Sequence, residues 1–197
     1  LSPTLAFRVG LDVATAVARA HERGVLHGLL SPDAVLFDRG ETRPVARVRD
    51  FGFLEVYRAA GGPLPIDRRY AAPEVLRNEW DRVGWMSDVY QLGAVLYTVF
   101  TGRPPDRTGR PSDHTGRPAD PSADGRPADP STESVDRARH PVGPPASAPT
   151  DLVEELPVAA DRIVAKAMAT PKIARYESVE ELARDLRSTL TELEGER

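Results

Sequence analysis

The feature that most constrains the fold of this chain is an apolar segment near its middle, residues 86–101. Apolar side chains occur nearly all the way round a helix drawn over this segment. A helix of this kind has no face suited to water and is typical of the centre of a domain. The sequence therefore predicts a mainly α fold built around one buried helix at 86–101.

The segments on either side predict the elements that surround this helix. Residues 5–24 predict an amphipathic helix, because Val9, Val13, Val17 and His21 recur at the spacing of one helical face. Hydrophobic patterning and the positions of prolines predict the other elements. These are helices at 72–78, 157–169 and 177–193, and short strands at 34–38 and 45–49.

Residues 103–150 differ in composition from the rest of the chain. They contain no Leu, Ile, Met, Phe, Tyr or Trp, and Gly-Arg-Pro recurs at 102–104, 109–111, 116–118 and 125–127. Such a segment cannot bury enough apolar surface to offset the entropy lost on ordering. We expect a disordered insertion at 103–150 between two parts of one domain, 1–102 and 151–197. The repeats are compatible with an acidic or a proline-recognising partner, but a solvated linker is the favoured interpretation.

Composition excludes several classes of function. The chain has no cysteine, so disulfides and thiolate metal sites are excluded. A net charge of −4 gives no argument for binding nucleic acid or an anionic membrane. No apolar run reaches the length of a membrane span, and the first residues lack a signal-peptide pattern. We expect a cytoplasmic protein.

Five short motifs follow one another along the chain. They are residues 27–36 (HGLLSPDAVL), 50–52 (DFG), 69–75 (RYAAPEV), 87–97 (SDVYQLGAVLY) and 174–178 (ARYES). In this order and spacing they resemble the protein kinases, most nearly the bacterial and archaeal Ser/Thr kinases. The resemblance covers about residues 5–102 and 151–190. It implies the fold of the kinase C-terminal (large) lobe, with short β-strands.

The resemblance also implies structural roles for five residues. His27 and Phe51 belong to an internal hydrophobic stack, and Asp88 caps the backbone of the catalytic loop. Glu74 pairs with Arg175, which would fix the activation segment to the helices; breaking a buried pair of this kind leaves an unpaired charge.

The catalytic loop departs from the family pattern at the residues that perform the chemistry. The family places an Asp there to take the substrate proton and an Asn to bind Mg²⁺. Leu29 and Ala34 stand at those two positions, and neither side chain accepts a proton or binds a hard cation. Ser31 and Gly28 stand where the family has Lys and Arg. Asp33 is the one acid in the loop that could replace the missing base, but in the family this position faces the substrate peptide.

Two further positions correspond to nucleotide contacts in the family. Asp50 stands where the family has a Mg²⁺ ligand, and Leu36 stands at the floor of the adenine site. Mg²⁺ is normally bound through carboxylates together with substrate phosphates. We therefore favour a turn role for Asp50, and we expect no cofactor unless the chain is an active kinase that uses Mg-ATP.

The activation segment, residues 50–74, contains no Ser or Thr. Tyr57 and Tyr70 are its only hydroxyl-bearing side chains, and Tyr70 occupies a structural position. Asp67 stands where the family has a substrate-loop Thr. Switching by phosphorylation is therefore not expected, since Gly28 also removes the usual Arg partner.

The function predicted from these residues is that of a pseudokinase, a binding, scaffolding or regulatory module without phosphotransfer. One alternative is an atypical active Ser/Thr kinase whose small lobe is supplied elsewhere, and another is a truncated remnant. The small lobe is expected to be absent, because the sequence starts at the helix before the catalytic loop. The expected partner is a protein or that lobe, and not nucleic acid or a membrane.

Overall fold

A computed structural model describes residues 1–40, 43–61, 65, 67–106 and 143–195. The helices are α1 (Pro3–His21), α2 (Phe53–Ala60), α3 (Pro73–Leu76), α4 (Trp85–Thr101), α5 (Pro149–Leu152), α6 (Ala159–Ala167) and α7 (Val179–Gly195). The strands are β1 (Val35–Arg39) and β2 (Pro44–Val48). The predicted mainly α fold is confirmed. Within these ranges, none of the helices combines the length and apolar character needed to span a membrane.

Helix α4 lies at the centre of the molecule, as its composition predicts. Its residues are buried continuously from position 87 to position 97, and α1, α6 and α7 pack around it. Two glycines permit the close approach of these helices. A Cβ atom at Gly10 would lie 2.5 Å from Cδ2 of Leu96, and one at Gly93 would lie 2.6 Å from Cβ of Ala167. Larger residues would therefore push α1 and α6 away from α4.

The two strands form an antiparallel hairpin in which Val35 lies opposite Val48 and Arg39 lies opposite Pro44. Asp12 of α1 holds the hairpin in place. Its carboxylate accepts hydrogen bonds from the Arg43 guanidinium at 2.6 and 2.8 Å, and from the Ala46 amide at 3.1 Å. The hairpin thus lies against α1. Residues 22–34 connect the end of α1 to the start of β1.

Residues near both ends of the predicted insertion, 103–150, form hydrogen bonds within the described part of the chain. The Ala146 amide donates to the Asp106 carbonyl at 2.8 Å, and the buried Tyr90 hydroxyl donates to the Gly143 carbonyl at 3.2 Å. Residues 143–150 therefore belong to the helical body. Within them, Gly143 supplies the partner that the buried Tyr90 hydroxyl needs. The rest of the predicted insertion, residues 107–142, lies outside the described residues.

Candidate functional site

Asp88, in the first turn of α4, holds the loop that follows α1 from the side of the helical body. The Asp88 side chain is fully buried, and its carboxylate accepts hydrogen bonds from the amides of His27 at 2.8 Å and Gly28 at 2.6 Å. It also lies 2.8 Å from Nε2 of His21, at the end of α1. The structure thus places Asp88 where the resemblance expected a cap on the loop backbone.

Gln91, one turn further along α4, holds the same loop at two more points. Its Oε1 accepts from the Leu30 amide at 3.0 Å, and its Nε2 donates to the Gly28 carbonyl at 2.7 Å. Both atoms of the amide are therefore used, which satisfies a polar side chain that is almost fully buried. Together, Asp88 and Gln91 fix the backbone of residues 27–30.

His27 is buried, and its hydrogen bonds define its protonation. Nε2 lies 3.0 Å from the Arg49 carbonyl, which can only accept, and Nδ1 accepts from the Leu29 amide at 3.3 Å. Burial lowers the pKa of the imidazole, although the nearby Asp88 carboxylate opposes this. The ring packs edge-on against Phe51, with 5.0 Å between centroids. His27 is therefore a neutral packing residue, and both of its nitrogens are already engaged.

In front of this loop lies an open cleft of about 300 Å³. Leu29 and Ala34 line it, and they present only hydrocarbon to it. The carboxylate-bearing residues Asp33 and Asp50 line the same cleft and are exposed to solvent. The cleft therefore contains acids, but none of them comes from position 29 or 34.

Asp50 adopts a backbone conformation that is uncommon for a residue with a side chain, with φ of 67°. Its carboxylate lies 3.4 Å from Nε of Arg49, and 44 % of the side chain is exposed. Arg49 also donates to the Asp33 carbonyl at 3.2 and 3.3 Å. The one family-type metal ligand is thus already paired with a cation of the same chain.

The residues present do not fit the Mg²⁺ ion that the resemblance implies. Ala34 offers no donor atom, and Asp50 offers one carboxylate that faces Arg49. Among the described residues, no group of three or more His, Asp or Glu side chains is arranged to hold a metal ion. Mg²⁺ takes near-octahedral oxygen ligation, usually from one or two carboxylates together with substrate phosphates and waters, and of the two family ligand positions only position 50 carries a carboxylate.

Leu36 lies on β1 opposite Arg47, and it is 51 % exposed. The structure therefore leaves the predicted adenine floor uncovered by the described residues. An apolar side chain of this size on a strand surface is available for contact, but it specifies no ligand by itself.

Glu74 and Arg175 form a buried ion pair that joins α3 to the segment before α7. The guanidinium donates to the two carboxylate oxygens at 2.9 and 3.2 Å, and the Ser87 hydroxyl donates to the same carboxylate at 2.6 Å. Burial alone would raise the pKa of Glu74, but the bonds from Arg175 and Ser87 outweigh it and lower the pKa. Arg175 also donates to the Met86 carbonyl at 2.9 Å, so the pair ties three segments together.

The activation segment contains a helix that the sequence did not predict, α2 at Phe53–Ala60. It begins after Gly52 and ends at Gly61, which have φ of 78° and 66°. Its residues Phe53 and Tyr57 line the cleft, with their ring centroids 6.3 Å apart. One side of the cleft is therefore made by this helix and not by an extended loop.

The remaining activation-segment residues have defined places. Tyr70 is buried, and its hydroxyl lies 3.1 Å from that of Thr98. Burial raises the pKa of Tyr70. Asp67 lines the cleft and bonds to the Arg69 guanidinium at 2.7 Å. The structure thus gives Tyr70 a packing role and leaves Tyr57 at the cleft.

Residues 1–135 match the family model described as the protein kinase domain. The chain belongs to this family. Curated relatives include the serine/threonine-protein kinase PknB of Mycolicibacterium smegmatis, 26 % identical over 94 % of this chain and 26 % of that protein. PknH of Mycobacterium bovis is 28 % identical over 93 % of this chain and 27 % of that protein. The chain thus spans about a quarter of the length of these relatives.

A solved structure confirms the fold assignment. The Mycobacterium tuberculosis PknI kinase domain aligns with a TM-score of 0.60 and 21 % identity, over 95 % of this chain and 56 % of that one. At this identity the likeness concerns the fold alone. The chain therefore has the mainly helical architecture of part of a kinase domain.

Two features of the site were missed by the sequence reasoning. Gln91 had a usable signal, because an amide one turn after Asp88 in an apolar helix must find buried partners. Helix α2 had a weaker signal in its flanking glycines and in the i, i+3 pair of Glu55 and Arg58, which lie 3.1 Å apart. Gln91 lies within the motif at 87–97, whereas α2 lies outside all five motifs that carry the family resemblance.

Proposed function

We propose that this chain is a pseudokinase domain, a protein-binding, scaffolding or regulatory module that does not transfer phosphate. One observation carries the proposal. The loop backbone is held in place by Asp88 and Gln91, whereas the two positions that face the cleft with chemistry in the family are Leu29 and Ala34. A positioned loop without a base or a second metal ligand supports binding and not catalysis.

The magnitude of the loss supports this conclusion. General acid–base catalysis typically contributes about 10²- to 10⁴-fold to a rate. A leucine at position 29 removes that contribution, and an alanine at position 34 removes a metal contact as well. The first loss affects proton transfer and the second affects metal binding, so their effects on the rate combine.

The direct test is phosphotransfer. We expect the chain, and the longest natural protein that contains it, to incorporate no phosphate into generic protein substrates above a no-protein control with ATP and Mg²⁺. Transfer that persists after purification and disappears in a matched variant of the cleft would contradict the proposal.

A second candidate is an atypical active kinase, favoured by the exposed Asp33 in the same cleft as Leu29. In that case Asp33 takes the substrate proton, and Asp33→Asn abolishes transfer. Asp81→Asn is the matched control, because Asp81 is also exposed but does not line the cleft. Equal activity of the two variants would exclude Asp33 as the base.

Nucleotide binding is a separate question with a separate test. We expect no saturable binding of Mg-ATP by this chain at millimolar concentration, because Asp50 faces Arg49 and Ala34 offers no ligand. Calorimetry or a thermal-shift titration measures it. A clear shift that Asp50→Asn abolishes would show instead that Asp50 is a working ligand.

A further inference from the structure

Gly28 of the catalytic-type loop lies against the side chain of Leu54 in α2. A Cβ atom built on Gly28 would lie 2.3 Å from Cδ2 of Leu54 and 3.0 Å from its Cβ and Cγ. Separations under 3 Å between such carbon atoms do not occur without movement of one partner. The Leu54 side chain therefore occupies space that exists only because residue 28 has no side chain.

Leu54 is also the one buried residue of α2, with 1 % of its surface exposed. The other apolar residues of this helix are half-buried or exposed, with Phe53 at 45 % and Val56 at 61 %. Two weaker contacts support the helix. Gly52 N–H donates to the Leu26 carbonyl at 3.3 Å, and the Arg58 guanidinium lies 5.8 Å from the centre of the Trp80 ring. The hydrophobic attachment of α2 thus rests on a single side chain.

The position of α2 determines the shape of the cleft. Phe53 and Tyr57 line the cleft from this helix, on either side of Leu54 in sequence. They face a cleft that Leu29 and Asp33 line from the loop. A shift of α2 moves both aromatic rings, so this wall exists only while Leu54 is seated against Gly28.

We propose that Gly28 and Leu54 form a conformational latch, which fixes α2 and with it one wall of the cleft. Residues 50–74 contain no Ser or Thr, so phosphorylation of such residues is not available to position α2, whereas the packing of Leu54 is. The latch operates whether or not the cleft transfers phosphate, and it is therefore independent of the proposed function.

The chain offers a matched pair of glycines for the test. Gly28 has φ of 71° and Gly24 has φ of 75°, so alanine introduces similar backbone strain at both. A Cβ atom at Gly24 meets nothing within 4 Å, whereas one at Gly28 meets Leu54. Any difference between Gly28→Ala and Gly24→Ala thus reports the contact and not the strain.

Amide hydrogen exchange over residues 53–60 measures how often α2 opens. We expect exchange in Gly28→Ala to exceed that in Gly24→Ala by on the order of 10-fold, because local opening controls exchange in a weakly attached helix. Exchange elsewhere, for example in α4, should respond equally in the two variants. Equal exchange of α2 in both variants would overturn the proposal.

A second pair of variants covers the case in which Gly28→Ala does not fold. Leu54→Ala leaves the loop backbone unchanged and removes the other half of the latch, and Val56→Ala makes a similar truncation at an exposed position of the same helix. We expect Leu54→Ala to raise α2 exchange on the order of 10- to 100-fold over Val56→Ala. Equal exchange in these two variants would show that other contacts hold α2, and the latch would be refuted.

Discussion

The polar groups behind the catalytic-type loop and those in front of it differ in burial and in pairing. Behind the loop, the carboxylate of Asp88 is fully buried and contacts two amides and an imidazole. In front of it, the Asp50 side chain is 44 % exposed and contacts one guanidinium at 3.4 Å. The difference teaches that the buried anchors of the loop come from the helical body, whereas the acid in its cleft contributes only a solvent-exposed contact.

The buried side of the molecule also contains the second strong polar cluster, Glu74 and Arg175. Both clusters join segments that are far apart in sequence, and both use every charged atom they bury. Breaking them should therefore destabilise the fold, whereas changing the cleft should not. The substitutions below test this contrast in order of expected effect.

Asp88→Ala should have the largest effect. It leaves the buried amides of His27 and Gly28 without acceptors, at about 1–3 kcal/mol each, so we expect a loss of roughly 2–6 kcal/mol in the free energy of unfolding. Urea denaturation followed by circular dichroism measures it. Asp50→Asn is the cleft counterpart and should change stability by less than about 0.5 kcal/mol. Similar losses in the two variants would remove the contrast.

Glu74→Gln should come next. It keeps the shape of the side chain but leaves the Arg175 cation buried without its counter-charge, and breaking such a pair costs about 3–5 kcal/mol. The Ser87 and Lys172 contacts of Glu74 are also altered. Glu79→Gln is the control, because its bond to Arg82 is at the surface and should contribute less than about 1 kcal/mol. A mild Glu74→Gln phenotype would indicate that the pair is solvated.

Replacing part of the predicted insertion by a linker should have a smaller effect on stability. That effect should depend on the residue at which the replacement ends. A short Gly/Ser linker in place of 107–142 should leave the thermal midpoint unchanged, because no large apolar side chain is removed. Extending the replacement to residue 148 also removes the partner of the Tyr90 hydroxyl at Gly143, and should lower the midpoint by roughly 2–4 °C for each kcal/mol lost. Calorimetry distinguishes the two outcomes, and an identical midpoint would show that 143–148 contribute nothing.

The pH dependence of stability should give the smallest effect. Because burial lowers the pKa of His27 below its ordinary value of 6.5, the unfolded chain takes up a proton at a higher pH than the folded chain. Stability is therefore present above 6.5 and falls as the pH drops toward the folded pKa, by at most about 1.4 kcal/mol per pH unit. Urea titrations across this range measure the slope. His27→Gln should reduce it, and an unchanged slope would assign it to other groups.

Much of the helical body could be predicted from the sequence because its signals are local or carried by motifs. The buried helix at 86–101 has an all-round apolar pattern, and the observed α4 begins and ends within one residue of that range. Asp88, Glu74 and Arg175 lie within motifs that resemble those of the protein kinases, and the resemblance implies their partners. For these residues the contact between distant segments was therefore available from the family resemblance.

Helix α2 could not be predicted in the same way. Its eight residues bury a single side chain, so they carry little of the periodicity that identifies a helix. Leu54 instead depends on the absence of a side chain at Gly28, which lies far away in sequence. From the sequence, Gly28 means the loss of the family's charged Arg, whereas in the structure its consequence is the space that the missing side chain leaves for Leu54.

Asp88 and Gln91 hold the loop only through its main chain, at the amides of residues 27, 28 and 30 and the carbonyl of residue 28. These bonds do not depend on which side chains the loop carries. Positions 29 and 31 can therefore change side chain without loss of these bonds, whereas Ala34 is buried in the core and residue 28 must lack a side chain to admit Leu54. The loop is thus a frame that tolerates new side chains at positions 29 and 31.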